Sequence, residues 1–113
     1  MHEYSIALAL MERINAEASA RGAIAVHRVR VRIGGLSGIE PELLRSAFEI
    51  VRERTICWTA DLEIDEIPAA WACSACSQPI APGGVLRCPA CGEPAHLSAG
   101  DEIVLDRLEM EVP

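Results

Sequence analysis

Four cysteines, arranged as two C-x-x-C pairs, constrain the fold of this chain more than any other feature. The pairs are Cys73 with Cys76 and Cys88 with Cys91, and eleven residues separate them. This spacing can bring four sulfurs to the corners of a tetrahedron, which is the coordination of a closed structural Zn²⁺ site. The segment between the pairs contains two prolines and two glycines, which favour turns over a packed core. The sequence therefore predicts a small ribbon that folds around a metal ion.

The cysteine pattern alone leaves other chemical states open. Two disulfides or four free thiols would need no metal, and a rubredoxin-like iron centre would use the same sulfurs as zinc. The chain shows no membrane-length apolar run and no signal-peptide pattern, so we expect a soluble, cytoplasmic protein. In that compartment C-x-x-C pairs favour a metal over disulfides. Cys57 stands outside both pairs and is interpreted as a small buried hydrophobic residue.

Charge and size limit the classes of function. The chain has 113 residues and a formal net charge of -7, with all ten basic residues being arginine. Proteins that bind nucleic acid usually have a basic surface, and those that bind single strands also use aromatic side chains for stacking. This chain is acidic and only 4% of its residues are aromatic, which argues against nucleic-acid binding. The length suffices for one compact core, or for a small core with a lobe held together by metal.

Hydrophobic periodicity predicts two helices and three strands. Apolar residues recur at helical spacing from Tyr4 to about Arg21, with Ser5 as the expected N-cap and Gly22 as the expected stop. A second helix is expected to begin near Pro41. Alternation of apolar and charged residues predicts strands at positions 27–33, 61–65 and 102–112.

These elements predict an α+β fold in which two helices pack on a small three-stranded mixed sheet, with an inserted four-cysteine zinc-ribbon lobe. Residues 1–67 and 102–113 would form the main domain, and residues 68–101 would form the cysteine lobe. In the first strand, three arginines alternate with apolar residues, and they are expected to pair with acidic residues of a neighbouring strand. His27 has the apolar parity of this strand, which predicts a core or edge histidine.

The first three residues, Met1, His2 and Glu3, present a second candidate metal site. An α-amine, the adjacent backbone nitrogens and the His2 imidazole can close fused chelate rings around one ion. Nitrogen donors in a planar array suit Ni(II) or Cu(II). The tripeptide alone is weak evidence, because a histidine at position two is usually a solvated residue in a frayed terminus.

Several short motifs together resemble the HypA/HybF family of hydrogenase-maturation nickel metallochaperones. They are residues 1–5 (Met-His-Glu-Tyr-Ser), residues 31–38 (Val-Arg-Ile-Gly-Gly-Leu-Ser-Gly), residues 46–49 (Ser-Ala-Phe-Glu) and the two cysteine pairs. Each motif is short, but they occur in the family's order and span essentially the whole chain. The combination is therefore specific, although no single motif is.

The resemblance implies a protein that carries Ni(II) and catalyses no reaction. It implies nickel binding through the amine of Met1, His2 and neighbouring backbone nitrogens, with Glu3 as a backbone donor, a supporting group or a partner contact. It also implies structural zinc at the four cysteines. The implied partners are a HypB-like GTPase and the [NiFe]-hydrogenase large subunit, with urease as a further client of some members. Neither nucleic acid nor a membrane is an expected partner.

Glu40 and His96 are two further candidate residues of the sequence. Glu40 stands where some family members have Asp, so it is either an oxygen ligand for nickel or an anion at the start of the second helix. His96 follows the second cysteine pair and is interpreted as a solvated loop residue. An exposed strand edge would permit a homodimer. The rival function is a zinc-ribbon adaptor for protein interactions that has no nickel site.

Overall fold

The computed structural model describes residues 2–81 and 83–113. Two helices alternate with two strands, and three short strands and a final long strand follow. They are α1 (His2–Ala20), β1 (Ala25–Gly34), α2 (Pro41–Val51), β2 (Asp61–Ile67), β3 (Ala70–Cys73), β4 (Pro79–Ile80), β5 (Ala95–Ala99) and β6 (Ile103–Glu111).

The main sheet has three strands in the order β2-β1-β6. Strand β1 pairs in parallel with β2 and antiparallel with β6, so the sheet is mixed. The parallel pair requires a crossover connection, which α2 and the loops around it provide. The predicted α+β fold, with two helices and a mixed three-stranded sheet, is confirmed.

Both helices bury apolar residues against one face of this sheet. Helix α1 contacts α2 and β6, whereas α2 contacts β2. The core therefore lies between the helical layer and the sheet, as the two sequence periodicities predict. Its fully or almost fully buried members include Ala7, Met11, Ile14 and Ala18 from α1, Leu44, Ala47 and Phe48 from α2, and Val29, Val31 and Ile33 from β1. No helix among the described residues combines the length and the apolar character needed to cross a membrane.

Helix α1 begins earlier than the sequence predicts. Ser5 was expected as its N-cap, but the helix already starts at His2, and Ser5 lies within it. The prediction failed because it placed the helix start at the first good capping residue. The prediction that α1 stops at Gly22 is correct. Gly22 has a left-handed backbone (φ 64°), and its N–H donates to the carbonyl of Ser19 at 3.2 Å.

The opposite face of the sheet is charged, as expected. Arg28 lies 3.6 Å from Glu63 on one neighbouring strand and 3.6 Å from Glu109 on the other. Arg30 lies 3.8 Å from the same Glu63. These side chains are substantially exposed, so each pair stabilises the fold only weakly. Their main consequence is to offset the charge of the arginine row.

His27 is not a core residue. A bulge in the β1–β6 ladder falls between Val26 and Arg28, so the parity of the strand changes at His27. Val26 is buried, whereas His27 is exposed and its Nε2 lies 3.0 Å from a carboxylate oxygen of Glu111. Strict alternation placed His27 on the apolar face because a bulge leaves little trace in the sequence.

The cysteine lobe contains a second, smaller sheet with strand order β4-β3-β5. Both strand pairs are antiparallel. Among the described residues of this lobe, Cys73, Ile80 and Cys88 are the fully or nearly buried apolar ones, and Trp71 and Ala95 pack against them. Such a small core cannot hold the lobe folded by burial alone, which is the situation in which a structural metal is needed.

The two sheets meet where both linkers of the cysteine lobe cross the end of β1. Gly35 donates its N–H to the carbonyl of Ile67 at 2.8 Å, and Leu36 donates to that of Gly100 at 2.7 Å. A Cβ on Gly34 would lie 2.2 Å from the carbonyl carbon and oxygen of Gly100. Only glycine fits at position 34, because the obstructing atoms are backbone.

We predict that Gly34→Ala destabilises the protein by about 1–3 kcal/mol or more, because the added methyl group must displace the backbone of a linker. Thermal unfolding of zinc-loaded protein measures the change. Gly84→Ala is the matched control, since a Cβ there meets no heavy atom within 4 Å. Equal melting temperatures for the two variants would contradict this account of the junction.

Candidate metal centres

The four cysteine sulfurs converge at the end of β3. Cys73 is the last residue of that strand, and Cys88 lies beside the isolated bridge that joins Arg87 to Pro94. All four Sγ atoms lie within 4.8 Å of one another. The Sγ atoms of Cys73 and Cys91 are 3.3 Å apart, and those of Cys76 and Cys88 are 3.7 Å apart. The two pairs thus interleave rather than stand side by side.

Each C-x-x-C pair is built in the same way. Ser77 donates its N–H to the carbonyl of Cys73 at 3.0 Å, and Gly92 donates to that of Cys88 at 2.8 Å. Both donors have left-handed backbones, with φ of 63° and 75°. This conformation suits Gly92, but it costs Ser77 about 1–2 kcal/mol, because its Cβ crowds the carbonyl oxygen. The repeated turn directs both sulfurs of a pair toward the same point.

Backbone amides stabilise the thiolate form of the first cysteine in each pair. The N–H of Cys76, followed by that of Ala75, lowers the pKa of Cys73 to about 6. Both of these N–H groups lie 3.4 Å from the Cys73 sulfur. The N–H groups of Cys91 and Ala90 lower the pKa of Cys88 in the same manner. Thiolates are the form in which cysteine binds a metal.

The second cysteine of each pair behaves differently. At Cys91 the Glu93 N–H lowers the pKa, but the neighbouring sulfur of Cys73 and burial outweigh it and raise the pKa to about 12. The net shift of the pKa at Cys76 is also upward. Four crowded sulfurs cannot all carry negative charge unless a cation lies among them. The four cysteine sulfurs therefore have the geometry of a cation site, and they need a cation to be thiolates at the same time.

A tetrahedral zinc ion fits these sulfurs. Zn–S bonds of about 2.3 Å place the sulfurs of a tetrahedron about 3.8 Å apart, close to the two distances observed. All five cysteines are free, and the Sγ–Sγ distances of 3.3 and 3.7 Å are well above the about 2.05 Å of a disulfide bond. Four protein ligands leave no coordination position for a substrate, so such a site stabilises the lobe instead of catalysing a reaction.

The second predicted centre lies at the start of α1. Met1 falls outside the described residues. His2 is the first residue of the helix and is exposed to solvent. The first amides of a helix have no acceptor within the helix, so a ligand can use the amide nitrogen of His2 without breaking a helical hydrogen bond. The structure thus shows a helical terminus where the sequence suggests a frayed one.

Glu3 is buried, with 8% of its surface exposed. One of its carboxylate oxygens accepts a hydrogen bond from the backbone N–H of Glu40 at 3.0 Å. This bond, together with one from the N–H of Glu3 itself, lowers the pKa of the Glu3 carboxyl below its ordinary value. Because Glu40 is the N-cap of α2, the carboxylate ties the first turn of α1 to the start of α2.

Glu40 caps α2 with its own side chain. Its carboxylate oxygen accepts from the N–H of Glu42 at 3.4 Å, and the residue is otherwise exposed. The expected anion at the helix start is thereby present. Within residues 2–81 and 83–113, His2, Glu3 and Glu40 do not form a cluster of side-chain ligands, and the cysteine quartet is the group that does.

The two remaining candidates have structural explanations. Cys57 is fully buried, and loss of solvent raises the pKa of its thiol to about 11, so the interpretation as a buried hydrophobic residue is confirmed. His96 was expected in a loop but lies on β5, where it is exposed and pairs in register with Ala72. His96 is also absent from the cysteine quartet.

The contact between Glu3 and Glu40 was not predicted from the sequence, although a signal existed. Glu3 precedes Ala7 by one helical turn and so continues the buried stripe of α1. A charged residue on such a stripe needs a partner, and the start of α2 offers one.

We predict that Glu3→Ala lowers the melting temperature, because it leaves the Glu40 N–H without its acceptor and frees the first turn of α1. Glu3→Gln should lower it less, since an amide oxygen can still accept that bond. Thermal unfolding and amide exchange of residue 40 measure both effects. If the two variants match the unchanged protein, Glu3 has no anchoring role.

Comparison with known proteins assigns these features to a family. A family model described as "Hydrogenase/urease nickel incorporation, metallochaperone, hypA" matches residues 1–110. The hydrogenase maturation factor HypA of Wolinella succinogenes is 39% identical over 98% of this chain and 96% of its own length. The solution structure of the Ni metallochaperone HypA from Helicobacter pylori is 30% identical, with a TM-score of 0.74 and 98% of each chain covered. A further HypA solution structure reaches a TM-score of 0.82 at 32% identity, over 100% of this chain and 98% of its own.

Proposed function

This chain belongs to the HypA family of hydrogenase and urease nickel-incorporation metallochaperones, and we propose that it binds Ni(II) at its N-terminus and delivers it to [NiFe]-hydrogenase during maturation. The observation that carries this proposal is the match over essentially the whole chain, which includes the Met-His-Glu start. The family's role is that of a metal carrier rather than an enzyme. Nickel is accordingly the cargo.

We assign the nickel ligands to the amine of Met1, the imidazole of His2 and the backbone nitrogens of His2 and Glu3. Nitrogen donors in a planar array favour Ni(II) over zinc, which prefers tetrahedral thiolates. Solvent exposure of His2 supports this role, because a carrier must release its ion. Amine and imidazole must be unprotonated to bind, so nickel affinity should fall as the solution becomes acidic.

Glu3 and Glu40 would support this site at the point where α1 meets the start of α2. The buried carboxylate of Glu3 holds the first turn of α1 in place through the Glu40 N–H. We propose Glu40 as an additional oxygen donor, because its N–H binds Glu3 next to His2 and its exposed carboxylate is engaged in a long hydrogen bond of 3.4 Å with the Glu42 N–H. A terminus held in this way loses less conformational freedom on binding nickel than a free one does.

We assign Zn(II) to Cys73, Cys76, Cys88 and Cys91 as a structural ion. The convergence of their sulfurs and the small core around them support this assignment. Residues 68–101 would then form a zinc-binding domain inserted in a nickel-binding domain of residues 1–67 and 102–113. The backbones of the two domains are in close contact at Gly34 and Gly100, so a movement of one domain would displace the other.

The proposed partners are a HypB-like GTPase and the hydrogenase large subunit, both in the cytoplasm. Urease is a second proposed client, since the family description names hydrogenase and urease together. The free edge of the main sheet would also permit a homodimer.

A nickel titration of untagged, zinc-loaded protein tests the proposal. We expect one tightly bound nickel per chain in addition to zinc. A chain extended by Gly-Ser before Met1 should bind nickel much more weakly, because the extension moves the amine away from His2. If nickel binds both proteins equally, or binds neither, the terminal site is wrong. Zinc alone in both would leave a zinc-ribbon adaptor as the function.

A further inference from the structure

Trp58 is the most exposed of the four Phe, Tyr and Trp side chains in this protein. Solvent reaches 60% of its surface, whereas Phe48 is buried in the main core and Trp71 packs in the cysteine lobe. An indole gains more free energy from burial than most side chains do, and Trp is enriched at the centres of protein interfaces. An exposed tryptophan in a chain with so few aromatic residues therefore marks a candidate contact surface.

An ordered loop holds Trp58 in its exposed position. The hydroxyl of Thr55 donates to the carbonyl of Arg52 at 2.7 Å and accepts from the N–H of Cys57 at 3.0 Å. The N–H of Trp58 donates to the carbonyl of Thr55 at 3.1 Å. Cys57 and Ala60, on either side of Trp58 in the loop, are both fully buried. The backbone of Trp58 is thus fixed between two buried residues, so binding a partner there would order little additional chain.

The indole lines an open cleft of about 570 Å³ at the end of α2 and the start of β2. We call it the Trp58 cleft, and its lining residues are Glu49, Arg52, Glu53, Trp58, Thr59 and Asp61. All three carboxylates of the cleft are exposed. None of the three forms an ion pair with any residue in the ranges 2–81 and 83–113.

The Trp58 cleft is negatively charged. Its three carboxylates outnumber the one guanidinium, that of Arg52, whose Nη1 already donates to a backbone carbonyl of the loop at 2.7 Å. The C-terminal end of a helix carries a partial negative charge, which basic residues in the last turn commonly offset. The last turn of α2 contains no basic residue and does contain Glu49. Arg45 and Arg54 do not line the cleft, and Arg45 lies 3.8 Å from Glu42.

We propose that the Trp58 cleft binds a basic segment of a partner protein. An arginine or lysine side chain of that segment would lie over the face of the indole, where cation–π attraction adds to burial of the ring. Neighbouring basic side chains would pair with the carboxylates of Glu49, Glu53 and Asp61. Arginine fits both parts of the cleft, because its planar guanidinium stacks on aromatic rings and donates two parallel hydrogen bonds to a carboxylate.

Two other occupants suit the Trp58 cleft less well. A second copy of this chain would bring together two proteins of formal net charge -7, which repel each other. A metal ion would need several converging ligand atoms. Among the described residues, the carboxylates of the cleft do not form such a group, whereas the cysteine quartet does.

The Trp58 cleft is remote from both candidate metal centres. Glu40, which contacts the start of α1, caps the first turn of α2, whereas Glu49 lies in the last turn of this helix of 11 residues. Asp61 begins β2, and the cysteine lobe follows Ile67 at the other end of that strand. A bound segment would leave both metal centres accessible. The proposal therefore does not depend on nickel binding, and the two can fail separately.

Short charged peptides test the proposal on the zinc-loaded full chain. The probes are an acetylated and amidated peptide of four Arg-Ala repeats, the same peptide with neutral citrulline in place of arginine, and a peptide of four Glu-Ala repeats. Amide and indole NMR measures affinity and location together. We expect the arginine peptide to shift the indole N–H of Trp58 and the amides of residues 49–61. It should bind about tenfold tighter than the citrulline peptide, because several weak ion pairs and a cation–π contact add.

Variants separate the indole from the carboxylates. Trp58→Leu should weaken binding of the arginine peptide about two- to fivefold, whereas Trp58→Phe retains an aromatic face and should weaken it less. Glu49→Gln combined with Glu53→Gln should weaken it about fivefold or more. The matched control combines Glu12→Gln with Glu66→Gln, which makes the same charge change at exposed residues outside the cleft.

Three results would overturn the proposal. Equal affinities for the arginine and citrulline peptides would show that charge does not select the occupant. An equal loss of affinity in the Glu12 and Glu66 control would show attraction to the acidic protein as a whole. Shifts confined to a surface that excludes Trp58 would place the peptide elsewhere.

Discussion

Cys73→Ala should abolish zinc binding and unfold the cysteine lobe while the main domain stays folded. The substitution removes a buried thiol whose pKa the neighbouring backbone N–H groups lower to about 6, so it readily forms the thiolate that a metal binds. Metal binding contributes about 10–16 kcal/mol in isolated structural zinc sites, far more than the few buried residues of this lobe can replace. Cys91→Ala should have the same effect, although that cysteine is exposed.

Elemental analysis and amide NMR measure this outcome directly. Signals of the lobe strands should collapse to unfolded positions, whereas those of α1 and β1 should move little, because their core lies outside the lobe. Cys57→Ala is the matched control: it also removes a buried thiol, but it should retain zinc. A full complement of zinc in Cys73→Ala protein would show that the ion does not depend on this quartet.

The cysteine lobe shows which part of a site can be predicted from sequence. The spacing of the cysteines sufficed to place four sulfurs together, because C-x-x-C turns are local and each brings its own pair into one place. The interleaving of the pairs, with Cys73 beside Cys91, depends on how β3 and β5 pair across the lobe. Those pairings join residues distant in sequence, and no periodicity encodes them.

In the main domain, too, local features could be predicted from the sequence, whereas features that depend on distant contacts or on a bulge could not. Strong periodicities predicted both helices and all three strands, since burial of one face imposes the pattern. The bulge at His27 was missed because it inserts one residue without changing the composition of β1. The early start of α1 was missed for a different reason: the first turn is anchored by Glu3 to the N–H of Glu40, and local capping rules do not include a distant partner.

The tethered terminus changes the physical expectation for nickel transfer. A frayed chain end would bind an ion by ordering several residues, and each would cost about 1–2 kcal/mol of backbone entropy. Here α1 is helical from His2 and its second residue is anchored to α2. The proposed nickel ligands therefore belong to a chain end that is already partly ordered before nickel binds. Release would then require a partner to supply better ligands, rather than simple unfolding of the end.

His2→Ala should lower nickel affinity on the order of a hundredfold or more, because even groups that merely support metal ligands contribute about 10–100-fold. The imidazole is exposed at the first described residue of α1, so its loss should change the free energy of unfolding by less than about 0.5 kcal/mol. Zinc content should remain unchanged. Hydrogenase maturation in cells that carry the variant should fall with nickel affinity.

Two matched variants separate a terminal site from general binding by histidine. His27→Ala and His96→Ala each remove an exposed imidazole, one on β1 and one on β5. Both variants should bind nickel as the unchanged protein does, measured by calorimetric titration of zinc-loaded, untagged protein. If His2→Ala retains tight nickel while either control loses it, the cargo site lies elsewhere in the chain. If all three variants lose affinity equally, nickel binds through scattered histidines rather than through one chelate at the start of α1.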